Sequence, residues 1–223
     1  MMKKILILSL SLSLFVFSGC KELLQVVETV AATTEPSLGE MSTGLKEALT
    51  KGASFAVQTL NKEGGYFNDP LVKIPFPEEA QFAANALRDI GLGSIVDNFE
   101  QKLNEGAEKG AALALPIFKN AIRQMTFQDV KNILLGGENA ATNYFKGRTV
   151  DQLASAFSPH VKKSLDDVNA TKLWNDLTTR YNRIPLVRNK VETDIVKYAT
   201  GKALDGLFLK LADEEKKIRE NPV

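Results

Sequence analysis

Between Ser94 and Gln124 apolar side chains recur every third or fourth residue: Val96, Phe99, Leu103, Ala107, Gly110, Ala114, Ile117 and Ala121. That spacing lines them along one stripe of a helix. From Ala111 to Phe118 nearly every position is apolar. A helix hydrophobic all round belongs at the centre of a bundle, and only other helices can bury it there. Pro116 falls inside this stretch and predicts a bend.

The rest of the chain supplies those helices. Leu38 to Asn61 places Met41, Leu45, Leu49, Phe55, Ala56 and Leu60 at near-helical steps, and Gly64-Gly65 stops it. Tyr66 to Phe76 reads as a loop: Val72, Ile74 and Phe76 alternate, but Pro75 argues against a strand inside a sheet. Pro77-Glu78-Glu79 starts a helix that Gly91 ends. Thr126 with Asp129 begins a short helix closed by Gly136-Gly137. Thr149 with Gln152 reads as a capping box for the next helix, which Pro159 interrupts. Ala170 to Asn182 carries Leu173, Trp174, Leu177 and Tyr181 on one side. Thr193 to Glu220 turns Val196, Ala199, Ala203, Leu204, Leu207, Phe208 and Leu211 inward, with Asp213–Lys217 and Glu215–Arg219 pairs at its end. The expected fold is all-α: a single multi-helix bundle domain over 38–223 with a long central helix. A chain of 223 residues buries enough apolar surface to need no disulfide or metal staple.

The first residues carry a different message. Lys3 and Lys4 precede an apolar run from Ile5 to Phe17, too short for a membrane-spanning helix and suited to a secretory signal. It ends in Phe17-Ser18-Gly19-Cys20, which resembles a bacterial lipobox with Phe where Leu is usual. The expectation is a lipoprotein signal peptide over 1–19, lipid attachment at Cys20, and a lipidated tether over 20–37. Three acyl chains anchor far more firmly than one. Loss of Lys3 and Lys4 leaves a nearly neutral body, so lipid rather than charge holds it at the membrane. Lys21 follows the cysteine where Asp would signal inner-membrane retention, so the outer membrane is expected.

Composition narrows the function. With 28 basic and 27 acidic residues, no basic excess points to nucleic acid. One histidine excludes metal sites that need two imidazoles, and the Glu-x-x-His pairs of two-iron bundles are absent. No metal and no cofactor is expected.

Six residues are candidates for a polar binding site: Asn104, Glu108, Glu138, Tyr144, Arg148 and His160. Asn104 and Glu108 sit one turn apart at the border of the apolar stripe, where a carboxylate must be paired. A salt bridge or a helix-to-helix hydrogen bond is expected, with Arg123, Arg180 or Arg183 as charged partners; the alternative is a polar anchor inside a ligand cavity. Beside them Gly106, Ala107, Gly110 and Ala111 form a small-residue face, which either admits a neighbouring helix or leaves a gap. Leu135-Gly136-Gly137-Glu138-Asn139 precedes a helix and reads as a glycine stop with an asparagine cap. The alternative is an anion-binding turn, with Lys146 and Arg148 close by. His160 has no nucleophile-elbow motif beside it.

Several segments occur together in one order. These are Gly65-Tyr66-Phe67, Lys73-Ile74-Pro75-Phe76-Pro77, Asn104-Glu105-Gly106-Ala107-Glu108 and Ala121-Ile122-Arg123-Gln124-Met125-Thr126. After them come Ile133-Leu134-Leu135-Gly136-Gly137, Ala140-Ala141-Thr142-Asn143-Tyr144-Phe145, Ala203-Leu204-Asp205-Gly206-Leu207-Phe208 and the closing segment from Glu214 to Pro222. Together they resemble the bacterial envelope family catalogued as domain of unknown function 4197. The resemblance implies an all-helical, often lipid-anchored exported protein with no assigned activity. The expected function is a non-catalytic, lipid-anchored binding module of the cell envelope that takes a protein partner or an apolar ligand. The alternative is a metal-independent envelope hydrolase using Glu108 or His160, which requires two or more of the polar candidates to converge in one cleft.

Overall fold

The computed structural model describes residues 36–183 and 190–221, apart from the side chains of Leu177, Arg180 and Tyr181. The signal segment, Cys20 and most of the tether lie outside the described residues. A compact unit covers Ser42 onwards. The chain is all-α, with no strand among the described residues. In order the helices are α1 (Leu38–Leu60), α2 (Gln81–Asp89, entered through a 3₁₀ turn at Glu78–Ala80), α3 (Gly93–Ala111) and α4 (Ala114–Arg123). They continue with α5 (Phe127–Leu134), α6 (Ala140–Asp166), α7 (Ala170–Asn182) and α8 (Ile195–Glu220).

The stretch expected as one bent helix is two helices. The break falls at Ala112-Leu113, just where the ring of Pro116 would meet the carbonyl four residues back. Leu113 N–H turns instead to Gly110 O at 3.0 Å, and Pro116 becomes the third residue of α4, where no N–H is needed. Pro116, Ala112 and Leu113 are exposed, so this segment is not buried all round.

The long central helix is α6 instead. It runs unbroken for 27 residues through both expected interruptions. Thr149 caps nothing; its hydroxyl donates to Phe145 O at 2.7 Å inside the helix. Pro159 removes a backbone bond to Ser155, a loss of about 3 kcal/mol in a helix interior. Both residues lie on the exposed side, where water solvates the freed carbonyl. On the opposite side Phe145, Leu153, Phe157 and Val161 are fully buried, each contributing roughly 1.5–3 kcal/mol. Burial outweighs the proline.

α6 packs most extensively on α3 and next on α8. The small-residue face of α3 is what lets it in. A Cβ on Gly106 would stand 2.7 Å from Val161 Cα, and one on Gly110 would stand 2.8 Å from the Phe157 ring. The face is filled by a helix and leaves no gap. The predicted inward residues of α8 are all buried. Phe55 on α1 and Leu173 on α7 are not; they are 60% and 62% exposed.

Thr126 and Asp129 form the expected capping box at the start of α5. Asp194 caps α8 through Lys197 N–H at 3.0 Å. At the end of α8 Glu215–Arg219 forms, whereas Lys217 pairs with Glu214 rather than Asp213.

Candidate functional site

The loop between α1 and α2 drives Tyr66, Val72, Ile74 and Phe76 into the core without belonging to any sheet. Its buried amides therefore need side-chain acceptors. α3 supplies three, at successive turns of one face. Glu100 Oε1 accepts from Phe76 N–H at 3.1 Å. Asn104 Oδ1 accepts from Ile74 N–H at 2.8 Å, while its amide donates to Ile74 O at 2.9 Å and Glu100 O at 2.8 Å. Glu108 Oε1 accepts from Tyr66 N–H at 3.1 Å and Phe67 N–H at 3.2 Å.

The expected salt bridge of Glu108 to an arginine is thus replaced by backbone amides. Arg123 and Arg183 are exposed, with Arg123 bonded to Asn120, and the Arg180 side chain lies outside the described residues. Two amides partner one of its carboxylate oxygens without bringing a second charge out of water.

Further contacts lock the loop to α8. The Tyr66 hydroxyl donates to Ala203 O at 2.8 Å, and burial pushes its phenol well above the ordinary range, with the Glu108 charge adding to the effect. Lys210 meets Asp69 at 2.7 Å; that bond holds the Asp69 carboxyl below its usual range. Tyr198 donates to Pro75 O, and burial, helped by Glu79, Glu100 and Glu78, pushes it up to about 12.

Two concavities flank this loop. A polar cleft of about 960 Å³ is lined by Asn61, Glu63, Gly64, Phe67, Asn68, Gln101, Glu105, Glu108, Lys109, Ala112 and His160. Two of the six polar candidates, Glu108 and His160, line it. No hydrogen bond joins them among the described residues, and no serine, threonine, cysteine or tyrosine is among the lining residues. Asn104 is fully buried and spent on Ile74.

The remaining candidates lie elsewhere. Tyr144 donates to Ala121 O at 3.2 Å, and Arg148 stands over its ring at 5.6 Å and 3.9 Å from Asp129. Glu138 is an exposed loop residue. The turn before α6 has its own internal anion. Glu215, from α8, accepts from Ala141 N–H at 3.0 Å and Thr142 N–H at 2.8 Å, and also from the Thr142 hydroxyl. Asn139 makes no side-chain cap. Arg219 completes the cluster by donating to Glu215 at 2.7 Å and to Ile133 O, at the end of α5, at 3.0 Å.

The second concavity is an apolar groove of about 500 Å³ between α2, α3 and α7. Its floor is an aromatic trio: Phe76–Phe99 centroids 5.0 Å apart, Phe76–Trp174 5.6 Å and Phe99–Trp174 5.8 Å. The Trp174 indole donates to Glu192 O at 2.9 Å, fixing its ring. Ile95, Leu87 and Leu173 form the walls, and Asn98 is the one polar lining side chain. The sequence offered one unused signal: Glu100 extends the Asn104–Glu108 spacing by one turn. The expected inward side of α7 divides instead, with Trp174 buried and Leu173 exposed at the groove.

A family model described as a protein of unknown function, DUF4197, matches residues 35–223. The chain belongs to the DUF4197 family. No curated protein and no solved structure matches it. The DUF4197 match spans the loop, its α3 clasp, the cleft and the groove alike.

Proposed function

We propose that this DUF4197 protein is a lipid-anchored, non-catalytic binding module of the bacterial cell envelope, held at the outer membrane through Cys20 and taking an apolar ligand in the α2–α3–α7 groove. The groove carries the reading. Its volume of about 500 Å³ lies in the range of small-molecule sites, its lining is aromatic and aliphatic, and a single amide offers orientation. Ile95 and Leu173, which line it, are 52% and 62% exposed, an apolar surface of the kind that marks binding sites. The anchor rests on the Lys3-Lys4 start, the apolar run and the Ser18-Gly19-Cys20 ending. No helix of the described residues is long and apolar enough to cross a membrane.

Trp174 is the chain's only tryptophan and forms part of the groove floor, so its emission reports occupancy directly. Titration with palmitate should shift that emission saturably. Leu173→Asp, at the exposed rim, should abolish the shift and leave the melting temperature unchanged. Emission that stays flat under palmitate, or a shift that survives Leu173→Asp, refutes the groove as the ligand site.

A further inference from the structure

We infer that the polar cleft between the 61–68 turn, α3 and α6 is a second binding site, for an uncharged, hydroxyl-rich ligand of the saccharide class. The inference follows from which cleft side chains are already engaged. Glu105 is clamped between Lys102 and Lys109. Glu108 is only 7% exposed, and both loop amides go to its Oε1, so Oε2 has no partner among the described residues. The amides of Asn61, Asn68 and Gln101 and the His160 ring likewise make no side-chain hydrogen bond among the described residues, yet all line the cleft. This is a wall of mixed donors and acceptors around a nearly buried carboxylate oxygen.

Other ligand classes fit it poorly. An anion would meet Glu63, Glu105 and Glu108, while the two nearby lysines are already spent on Glu105. Among the described residues no group of three His, Cys, Asp or Glu side chains is placed to hold a metal ion. An organic cation would suit Glu63 and Glu108, but it has no acceptor for the three amides' N–H groups. A fatty chain would leave Glu108 Oε2, the three amides and the imidazole without partners. A hydroxyl both donates and accepts, so a polyol can serve carboxylate, amide and imidazole together. Phe67 adds an apolar face for the ligand's C–H groups, its ring already approached by Lys73 at 4.5 Å. The volume, about 960 Å³, holds several sugar rings in an open cleft.

His160 is the chain's only histidine, so its ring resonance reports this cleft as Trp174 reports the groove. The test uses the full chain in a detergent without a sugar headgroup, with maltotetraose and chitotetraose as probes and phosphate and 1,4-diaminobutane as controls. At least one tetrasaccharide should shift the His160 signal saturably at millimolar concentration and leave Trp174 emission unchanged. Gln101→Ala, an exposed residue with no structural partner, should weaken that binding about three- to tenfold, the loss expected for one neutral hydrogen bond. A His160 signal unmoved by both sugars, or moved equally by phosphate or the diamine, overturns the inference. A null result there leaves the palmitate test of the groove unaffected.

Discussion

Glu108 is the most informative single position, because its partners are now known to be two amides. Removing the side chain in Glu108→Ala leaves Tyr66 N–H buried and Phe67 N–H half-buried without acceptors. Hydrogen bonds to a charged group contribute about 1.5–3 kcal/mol each. Oε2 reaches the cleft, so the lower part of that range applies, and two bonds give a loss of about 3–4 kcal/mol. Against a typical 5–15 kcal/mol for a domain this is severe. Glu108→Gln is the control. Its side-chain oxygen still accepts both amides, so only the charge-assisted part is lost, about 1–2 kcal/mol. Had the partner been an arginine, Gln would have stranded a charge and the loss would have been about 3–5 kcal/mol. Urea unfolding followed by Trp174 emission measures both variants, and the midpoint should move while the slope stays constant. An Ala variant within about 1 kcal/mol of the parent, or a Gln variant as damaged as Ala, would refute the clasp as described.

Glu215→Ala removes two amide bonds at the start of α6 and leaves Arg219 only Ile133 O; a loss of about 3–5 kcal/mol in the same assay is expected, chiefly from the two charge-assisted amide bonds. Gly110→Ala drives a methyl into the Phe157 ring at the α3–α6 crossing, and overpacking of about 1–3 kcal/mol should lower the thermal midpoint. Cys20→Ala should abolish metabolic labelling with palmitate and release the domain into the soluble periplasmic fraction; retained label would place the anchor elsewhere. Lys210 depresses the Asp69 carboxyl in the folded state. That pair therefore stabilises the fold above the unfolded carboxylate range, near pH 4, and the contribution is lost as pH falls through the lower folded value. Lys210→Met should flatten the acid limb of a stability–pH curve, and an unchanged limb would refute the linkage.

Helical class, the start and end of α7 and the buried stripe of α8 were legible in the sequence because they rest on local physics. Side chains three and four residues apart share a face, and the Thr126–Asp129 box closes within one turn. The same local reading misjudged Thr149 and Pro159. A possible cap and a proline carry local preferences, about 3 kcal/mol for the proline, which the burial of Phe145, Phe157 and Val161 against α3 and α8 overrides. It also located Glu108 without its partners, since Tyr66 and Phe67 lie 42 and 41 residues away. Glu215 reaches its amides across 74 and 73 residues. No periodicity encodes such distances. The sequence by itself determined which segments coil and which faces turn inward. The tertiary structure alone decided which buried carboxylate meets which orphaned amide, and so which polar groups were left over to line a cleft.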